Sequence, residues 1–249
     1  MSNATITETS SPTRTFENLT VGQLVTENPG RARVLESVGL DYCCGGKHLL
    51  SEACEEKGLD YATVATELAA YDATHSAEGT DWSTAPMADL VDNIIKVHHD
   101  HLTEELPRIE YLAGRVKNAH GEKHPSLIEL NDIVCALSHA QLRHNGEEEK
   151  ELFPKVKKLE AASTAADLDF DSLSDFIGNL ESEHAKAGAA LERIKELTHN
   201  YTPPSDTCNT HRVFLAALQE LETDMHIHIH KENSILFPRA LEREKALRN

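Results

Sequence analysis

The chain is short of basic residues, of aromatic residues and of long apolar runs. Among its 249 residues, 24 Lys and Arg stand against 42 Asp and Glu, so the formal net charge is −18. A protein that binds nucleic acid or an anionic membrane needs a basic face, because its affinity comes largely from neutralising phosphates. The charge balance therefore argues against both partners, and no apolar run approaches the roughly 20 residues that span a bilayer.

Cysteine is also scarce, and its number is odd: Cys43, Cys44, Cys54, Cys135 and Cys208. A disulfide framework uses cysteines in pairs, and the first fifteen residues lack the apolar stretch of a secretory signal. We therefore expect reduced thiols, a disordered tail over residues 1–15 and a cytoplasmic protein. Cys135 and Cys208 look incidental.

Helical periodicity divides the chain into two parts, and nothing in it reads as a sustained strand. Short helices are predicted to form a small domain over residues 16–71, and residues 72–82 lose the periodicity and are predicted to be a linker. Residues 83–249 contain four long amphipathic segments, about 83–121, 125–159, 170–198 and 209–248. The sequence thus predicts an all-α protein whose larger domain is an up-down four-helix bundle.

Histidine is abundant, with fifteen residues, and each long segment carries histidine on its apolar stripe. Counting in steps of three and four places His99 between Ile95 and Leu102, for example. Buried imidazoles and carboxylates that lack partners are costly, whereas coordination to a cation stabilises them. The stripes therefore predict a buried metal site formed by six residues: His99, His144, Glu148, His184, His228 and Glu232.

Two of these segments repeat each other. His144 precedes Glu148 by four residues, His228 precedes Glu232 by four, and both pairs are followed by the same Leu-Phe-Pro triplet. Residues four apart share one helix face. The repeat predicts a pseudo-two-fold site with four His and two bridging Glu. Imidazole and carboxylate without thiolate favour iron or manganese, with zinc as an alternative, and a bridged pair favours iron.

From about Phe16 onward the chain resembles the repair of iron centres family, whose larger domain is hemerythrin-like. The resemblance rests on the four helices and on four short motifs: DYCCGGK (41–47), HDH (99–101), SEH (182–184) and HNYTPP (199–204). It implies a cytoplasmic protein, often a homodimer, that repairs iron–sulfur clusters damaged by nitric oxide or oxidants. Two non-haem iron ions per chain, with an oxo or hydroxo bridge, would be its cofactors. Damaged iron–sulfur proteins would be its partners, and nitric oxide or O₂ its small ligands.

The resemblance places iron ligands on the same six residues that the stripes select. It also draws attention to Glu183, a second carboxylate beside His184 near a pathway into the site. The first helix leaves its ligand open, because His98 and His101 flank His99. The stripe favours His99.

The sequence CCGG (43–46) stands before a predicted helix that starts at Lys47. A helix N-terminus lowers the pKa of a nearby thiol, which predicts a reactive thiolate. The resemblance implies that Cys43 and Cys44 matter for redox chemistry or for the handling of iron or nitric oxide. The alternatives are small residues that pack a turn, and a metal site with His48 and Cys54, whose spacing matches no standard zinc motif.

The remaining histidines are predicted to be non-ligands. His226 and His230 lie about 200° around the helix from His228, which predicts an outer face. Those in or near loops are predicted to be solvated: His75, His120, His124, His199 and His211.

Three functions are compatible with the predicted metal site. They are cluster repair by iron donation or nitric oxide handling, reduction of nitric oxide to nitrous oxide, and an O₂- or nitric-oxide-binding sensor or carrier. Classical hemerythrins carry His-x3-His on the third helix, whereas Gly188 follows His184 here. They carry His-x4-Asp on the fourth, whereas Asn233 stands at that position. One imidazole fewer favours a labile site, so repair is the first hypothesis, and enzymatic activity stays open.

Overall fold

The computed structural model describes residues 16–77 and 79–249, and the predicted tail over residues 1–15 lies outside these ranges. The described residues are predominantly helical and contain no strand beyond an isolated bridge between Thr20 and Leu49. The predicted all-α class is confirmed. The chain divides into two compact units between Gly79 and Thr80.

The N-terminal unit consists of short helices: α1 (Val21–Glu27), α2 (Ala32–Ser37), α3 (Leu50–Lys57) and α4 (Tyr61–Thr74). Thr20 begins α1 with a reciprocal capping box to Gln23, and Gly58 ends α3 with a positive φ of 67°. Helix α4 ends three residues beyond the predicted limit of the small domain at residue 71, and Asp72 in its last turn pairs with Arg31 of the same unit.

The second unit contains four long helices, three of which change to a π-helical turn in mid-course. The first comprises α5 (Met87–Ile94), a π turn (Ile95–His99) and α6 (Asp100–His120). The second comprises α7 (Ser126–Glu147), a π turn (Glu148–Leu152) and α8 (Phe153–Ala161). The third is α9 (Ser174–Leu197), and the fourth comprises α10 (Asn209–His230), a π turn (Lys231–Leu236) and α11 (Phe237–Arg248). Helix α6 packs against α7 and α10, and α7 packs against α9.

The repeated Leu-Phe-Pro triplet explains two of the π turns. Pro154 and Pro238 have no N–H, so they cannot continue the i→i−4 ladder at the second position of α8 and α11. The residue before each proline bonds five residues back instead, Phe153 to Glu148 and Phe237 to Glu232. The proline thus shifts the helix register beside each of the two glutamates.

An apolar core fills the end of the bundle formed by α5, α8, the start of α9 and α11. It includes Ile94, Leu152, Phe153, Leu180 and Phe237, all of them buried. No helix in the described part of the chain is long and apolar enough to cross a membrane.

Candidate metal centre

The six residues predicted from the apolar stripes meet inside the bundle, and each is at most 2% exposed. Their nitrogen and oxygen atoms form two groups within which the atoms lie at most 4.8 Å apart. His99 and His228 belong to one group and His144 and His184 to the other, and both groups contain Glu148 and Glu232. Because each carboxylate belongs to both groups, the arrangement suits two cations bridged by two carboxylates.

The π turns bring three of the helices to this point. His99 ends the first π turn, Glu148 begins the second, and Glu232 is the second residue of the third. A π turn inserts one residue into the helix and changes the direction of the side chains, and it is frequent at functional sites. The two ligand groups therefore depend on a backbone feature that a uniform 3.6-residue period does not contain.

Three of the four imidazoles are oriented by an outer oxygen. Each Nδ1 lies 2.8 Å from it: His99 from Glu149, His144 from Glu183, and His184 from Asn233. Carboxylate and amide oxygens accept hydrogen bonds, so each Nδ1 carries the proton and donates it. The Nε2 lone pairs are left to face the interior, as in metal-binding histidines with oriented rings.

The inward nitrogens approach each other closely in both groups. The distance between Nε2 atoms is 3.1 Å for His99 and His228 and 2.9 Å for His144 and His184. Two nitrogens at right angles around an ion, each about 2.1 Å from it, are about 3.0 Å apart. The imidazole pairs therefore fit a shared cation.

The two carboxylates are buried without sufficient hydrogen bonds. Neither oxygen of Glu148 accepts a hydrogen bond from a described residue, and neither does Oε2 of Glu232. The imidazoles of His99 and His144 approach the two Glu148 oxygens at 3.4 Å. A buried carboxylate without a partner is strongly destabilising, whereas a cation compensates it. These orphaned oxygens, like the facing nitrogens, fit a metal ion.

The imidazoles and carboxylates of the site shift each other's pKa values toward their charged forms. Burial lowers the pKa of His144, but the negative charges of Glu148 and Glu232 and the hydrogen bond to Glu183 outweigh burial and raise that pKa to about 9. Burial and the Glu232 charge raise the pKa of Glu148, but His144 and His99 outweigh both and lower it below its usual range. The surroundings therefore favour anionic carboxylates next to positive charge.

A cavity of about 250 Å³ lies between α7 and α9 and reaches His144 and Glu183. Small apolar side chains, among them Ala140 and Ala187, form much of its wall. Arg143, which also lines it, binds Glu183 at 2.9 Å. Glu183 thus lies between the cavity and a site imidazole.

The three neighbouring histidines of the first helix occupy different positions. His99 joins the cation group, whereas His101 is exposed. His98 is buried outside both groups, with Nδ1 2.7 Å from Asp224 and Nε2 2.8 Å from the ammonium group of Lys231.

Sequence reasoning missed Glu149 and Asn233, the outer partners of His99 and His184. A signal was present, because each of them directly follows a shared glutamate in the repeated segments. Glu183 was identified, but its hydrogen bond to His144 was not anticipated.

The predicted helix start at Lys47 is wrong, so the argument for a reactive thiolate at Cys43 loses the helix N-terminus on which it rested. The next helix, α3, begins at Leu50, so the cysteine pair lies in a turn and not at a helix N-terminus. Cys43 is buried, with its Sγ 3.1 Å from Oδ1 of Asp41 and 3.9 Å from Sγ of Cys44. The hydrogen bond to Cys44, burial and the Asp41 charge raise the pKa of the Cys43 thiol well above its ordinary value. Asp41, Cys43 and Cys44 form a third group with metal-ligating atoms within 4.8 Å, without His48 or Cys54.

Two further histidine predictions are wrong. His230 is 4% exposed and His211 is 5% exposed, although an outer face was predicted for the first and a solvated position for the second. Helix α10 packs against α6 and against the first π turn, so more than one of its faces is covered.

Comparison with known proteins covers both units. Residues 17–72 match a domain of unknown function (DUF542), and residues 90–240 match the hemerythrin HHE cation binding domain. The iron-sulfur cluster repair protein YtfE of Pectobacterium carotovorum is 34% identical over 229 residues, which span 92% of this chain and 99% of that protein. The proteins of the same name from Yersinia pseudotuberculosis and Musicola paradisiaca are 34% and 35% identical, with the same coverage.

Proposed function

The chain belongs to the family that joins a DUF542 domain to a hemerythrin HHE domain and includes the iron-sulfur cluster repair proteins YtfE, and we propose that it repairs damaged iron–sulfur clusters. The observation that carries the proposal is the pair of buried cation-binding groups that share Glu148 and Glu232. Repair of a cluster that has lost iron needs a source of iron, and a site for two ions provides one.

We propose that this centre holds two non-haem iron ions. His99 and His228 would bind one ion and His144 and His184 the other, with Glu148 and Glu232 between them. Iron(II) held by these residues would supply electrons, or would itself be the cargo delivered to a cluster. The protein contributes oriented imidazoles, two anionic carboxylates and an apolar core on one side that excludes water.

The ligand set favours release of iron over its permanent retention. Each group offers two imidazoles, and Asn233, at the position of the hemerythrin aspartate, lies outside both groups and bonds to Nδ1 of His184. Gly188 has no ligand atom to add from the third helix. A carboxylate-rich site of this kind is suited to exchange iron, and less to carry O₂.

The test is a recovery assay with a purified [4Fe–4S] dehydratase whose cluster has been damaged by nitric oxide. The iron-loaded full-length chain is expected to restore activity, and the His144→Ala variant to restore little. Glu151→Ala is the matched control, because Glu151 is exposed and pairs with Lys155 on the outside of the same helix. Equal recovery with wild type and His144→Ala would overturn the proposal.

Reduction of nitric oxide is the second candidate, and the cavity that reaches His144 favours it. Two NO molecules, two electrons and two protons give N₂O and water, and two iron(II) ions would supply the electrons. Anaerobic mixing of the iron(II)-loaded protein with NO distinguishes the candidates. One N₂O per chain would support reduction, whereas cluster recovery without N₂O would leave repair by iron donation.

The Cys43–Cys44 pair is proposed as a second functional element, for redox chemistry or for handling iron or nitric oxide. Its two sulfurs and the Asp41 carboxylate lie together in the N-terminal unit. The double variant Cys43→Ser/Cys44→Ser is expected to keep its metal content and to lose repair activity. Unchanged repair would contradict the role. The homodimer and the cytoplasmic location stay predictions.

A further inference from the structure

A second group of chemically active side chains lies where α6 ends and α10 begins. Cys208 is separated from His228 by the length of α10, roughly 30 Å at 1.5 Å per residue, so this group is distinct from the metal centre. Its members come from both helix ends and the adjoining loops: His120, Lys123, His124, Asp206, Cys208 and His211.

Cys208 is held in contact with an imidazole. Its Sγ lies 3.2 Å from Nε2 of His120, and the residue is exposed. It is also the N-cap of the 22-residue helix α10, whose free N–H groups and dipole stabilise negative charge. An imidazole that accepts the thiol proton leaves the nucleophilic thiolate in place.

The other cysteines lack this environment. All five cysteines lie in the described ranges, and Cys208 is the exposed one. Burial raises the pKa of the Cys54 and Cys135 thiols. The hydrogen bond to His120, followed by backbone N–H groups of α10, lowers the pKa of Cys208.

A buried histidine stands behind this pair. His211 is 5% exposed, its ring centroid lies 5.9 Å from that of His120, and its ring makes no hydrogen bond with any described residue. A polar group attached to Cys208 would therefore lie near a second imidazole beside that of His120.

We propose that Cys208 is a modification site that forms a mixed disulfide with low-molecular-weight disulfides. The Cys208 thiolate attacks one sulfur of the small disulfide, whose S–S bond breaks as the new S–S bond forms. The leaving thiolate takes the proton that His120 received from Cys208. One disulfide and one thiol are consumed and one of each is produced, so no further oxidant is needed. The half of the small disulfide that stays attached to Cys208 would lie beside His211.

The test uses the full-length protein with oxidised glutathione as the probe, followed by intact-mass measurement and peptide mapping. Wild type and the control variant Cys135→Ser are expected to gain one glutathionyl group at residue 208, and Cys208→Ser none there. His120→Gln is expected to react about tenfold more slowly at pH 7, with a rate that keeps rising to higher pH than in wild type.

Three outcomes would overturn the proposal: no adduct on wild type, an adduct mapped to residues 43–44 and not to residue 208, or equal rates for wild type and His120→Gln. Metal content serves as the independent readout. It is expected to be the same in wild type and Cys208→Ser, so failure here would leave the proposed repair function untouched.

Discussion

The Nε2 atoms of His144 and His184 face each other at 2.9 Å inside the bundle, although the two residues belong to different helices. The Nδ1 proton of each ring is committed to an outer oxygen, on Glu183 and on Asn233. Two lone pairs therefore point into one small volume, and they repel each other unless a cation or a proton lies between them. This repulsion between lone pairs is the physical reason for interpreting His144 and His184 as metal ligands.

The outer hydrogen bonds should contribute measurably to metal affinity. Glu183→Ala removes the acceptor from Nδ1 of His144, so the ring loses its fixed orientation and part of its basicity. We expect metal affinity to fall about 10–100-fold, measured by competition with a chromophoric chelator.

The control for this substitution is Glu192→Ala, which removes an exposed carboxylate from the same helix. It is expected to bind metal as wild type does. Equal affinities for Glu183→Ala and wild type would show that the hydrogen bond does not support the ligand.

The six buried side chains could be found from the sequence because a helix that packs in a bundle buries a periodic stripe. The counting rule placed His99, His144 and Glu148 on such stripes, and the structure brings them together with their counterparts. It also favoured His99 over His98 for the first helix. Periodicity was sufficient to identify these residues because their spacing along each helix is a local property, whereas the direction of three of the side chains also depends on the π turns.

Other features could not be predicted in this way. They depend on contacts between different residues of a turn or on a change in the helical period. The π turns at Glu148 and Glu232 could have been suspected only from the prolines that follow. The surroundings of Cys43 could not be predicted, because the carboxylate of Asp41 binds the N–H groups of the turn and lies against the thiol. A sequence pattern does not show which groups a turn brings into contact.

The cavity between α7 and α9 should control access to the centre. Ala140→Phe places a large side chain in its wall without replacing a predicted ligand. We expect unchanged metal content and several-fold slower binding of nitric oxide, measured by stopped-flow absorbance. Ala185→Phe, on an exposed face of α9, is the control. If both variants bind nitric oxide at the wild-type rate, the ligand reaches the centre by another route.

The N-terminal unit should depend on the ion pair between Arg31 and Asp72. The Arg31 side chain is 1% exposed, and its guanidinium makes two hydrogen bonds to Asp72, at 3.0 and 2.7 Å. Among the described residues, Asp72→Ala leaves Glu27 as the remaining anionic partner of a buried positive charge, which should lower the stability of this unit by about 3 kcal/mol.

Amide hydrogen exchange at Leu24 and Val25 in the full-length chain measures this effect. Glu67→Ala, which removes an exposed carboxylate from the same helix α4, should leave exchange unchanged. Exchange in Asp72→Ala that matches the control would show that the ion pair adds nothing to stability.

Asp206 should contribute to stability in a defined range of pH. Lys123 and then His124 lower its pKa to about 2, whereas an unfolded aspartate titrates near pH 3.9. Since the folded pKa is the lower one, the contribution is complete above about pH 4 and is lost as the pH falls through 2. Urea midpoints of wild type and Asp206→Asn should therefore differ at pH 5 and converge at lower pH. A difference that is constant or grows on acidification would contradict this assignment.

The central claim is that Glu148 and Glu232 hold two iron ions between four imidazoles. Metal analysis and Mössbauer spectra of anaerobically purified protein test it most directly, on wild type, Glu148→Ala, Glu232→Ala and the control Glu151→Ala. We expect two antiferromagnetically coupled irons per chain in wild type and in the control, and loss of the coupled pair in either of the other variants. One ion or none per chain, unchanged by the substitutions, would contradict it.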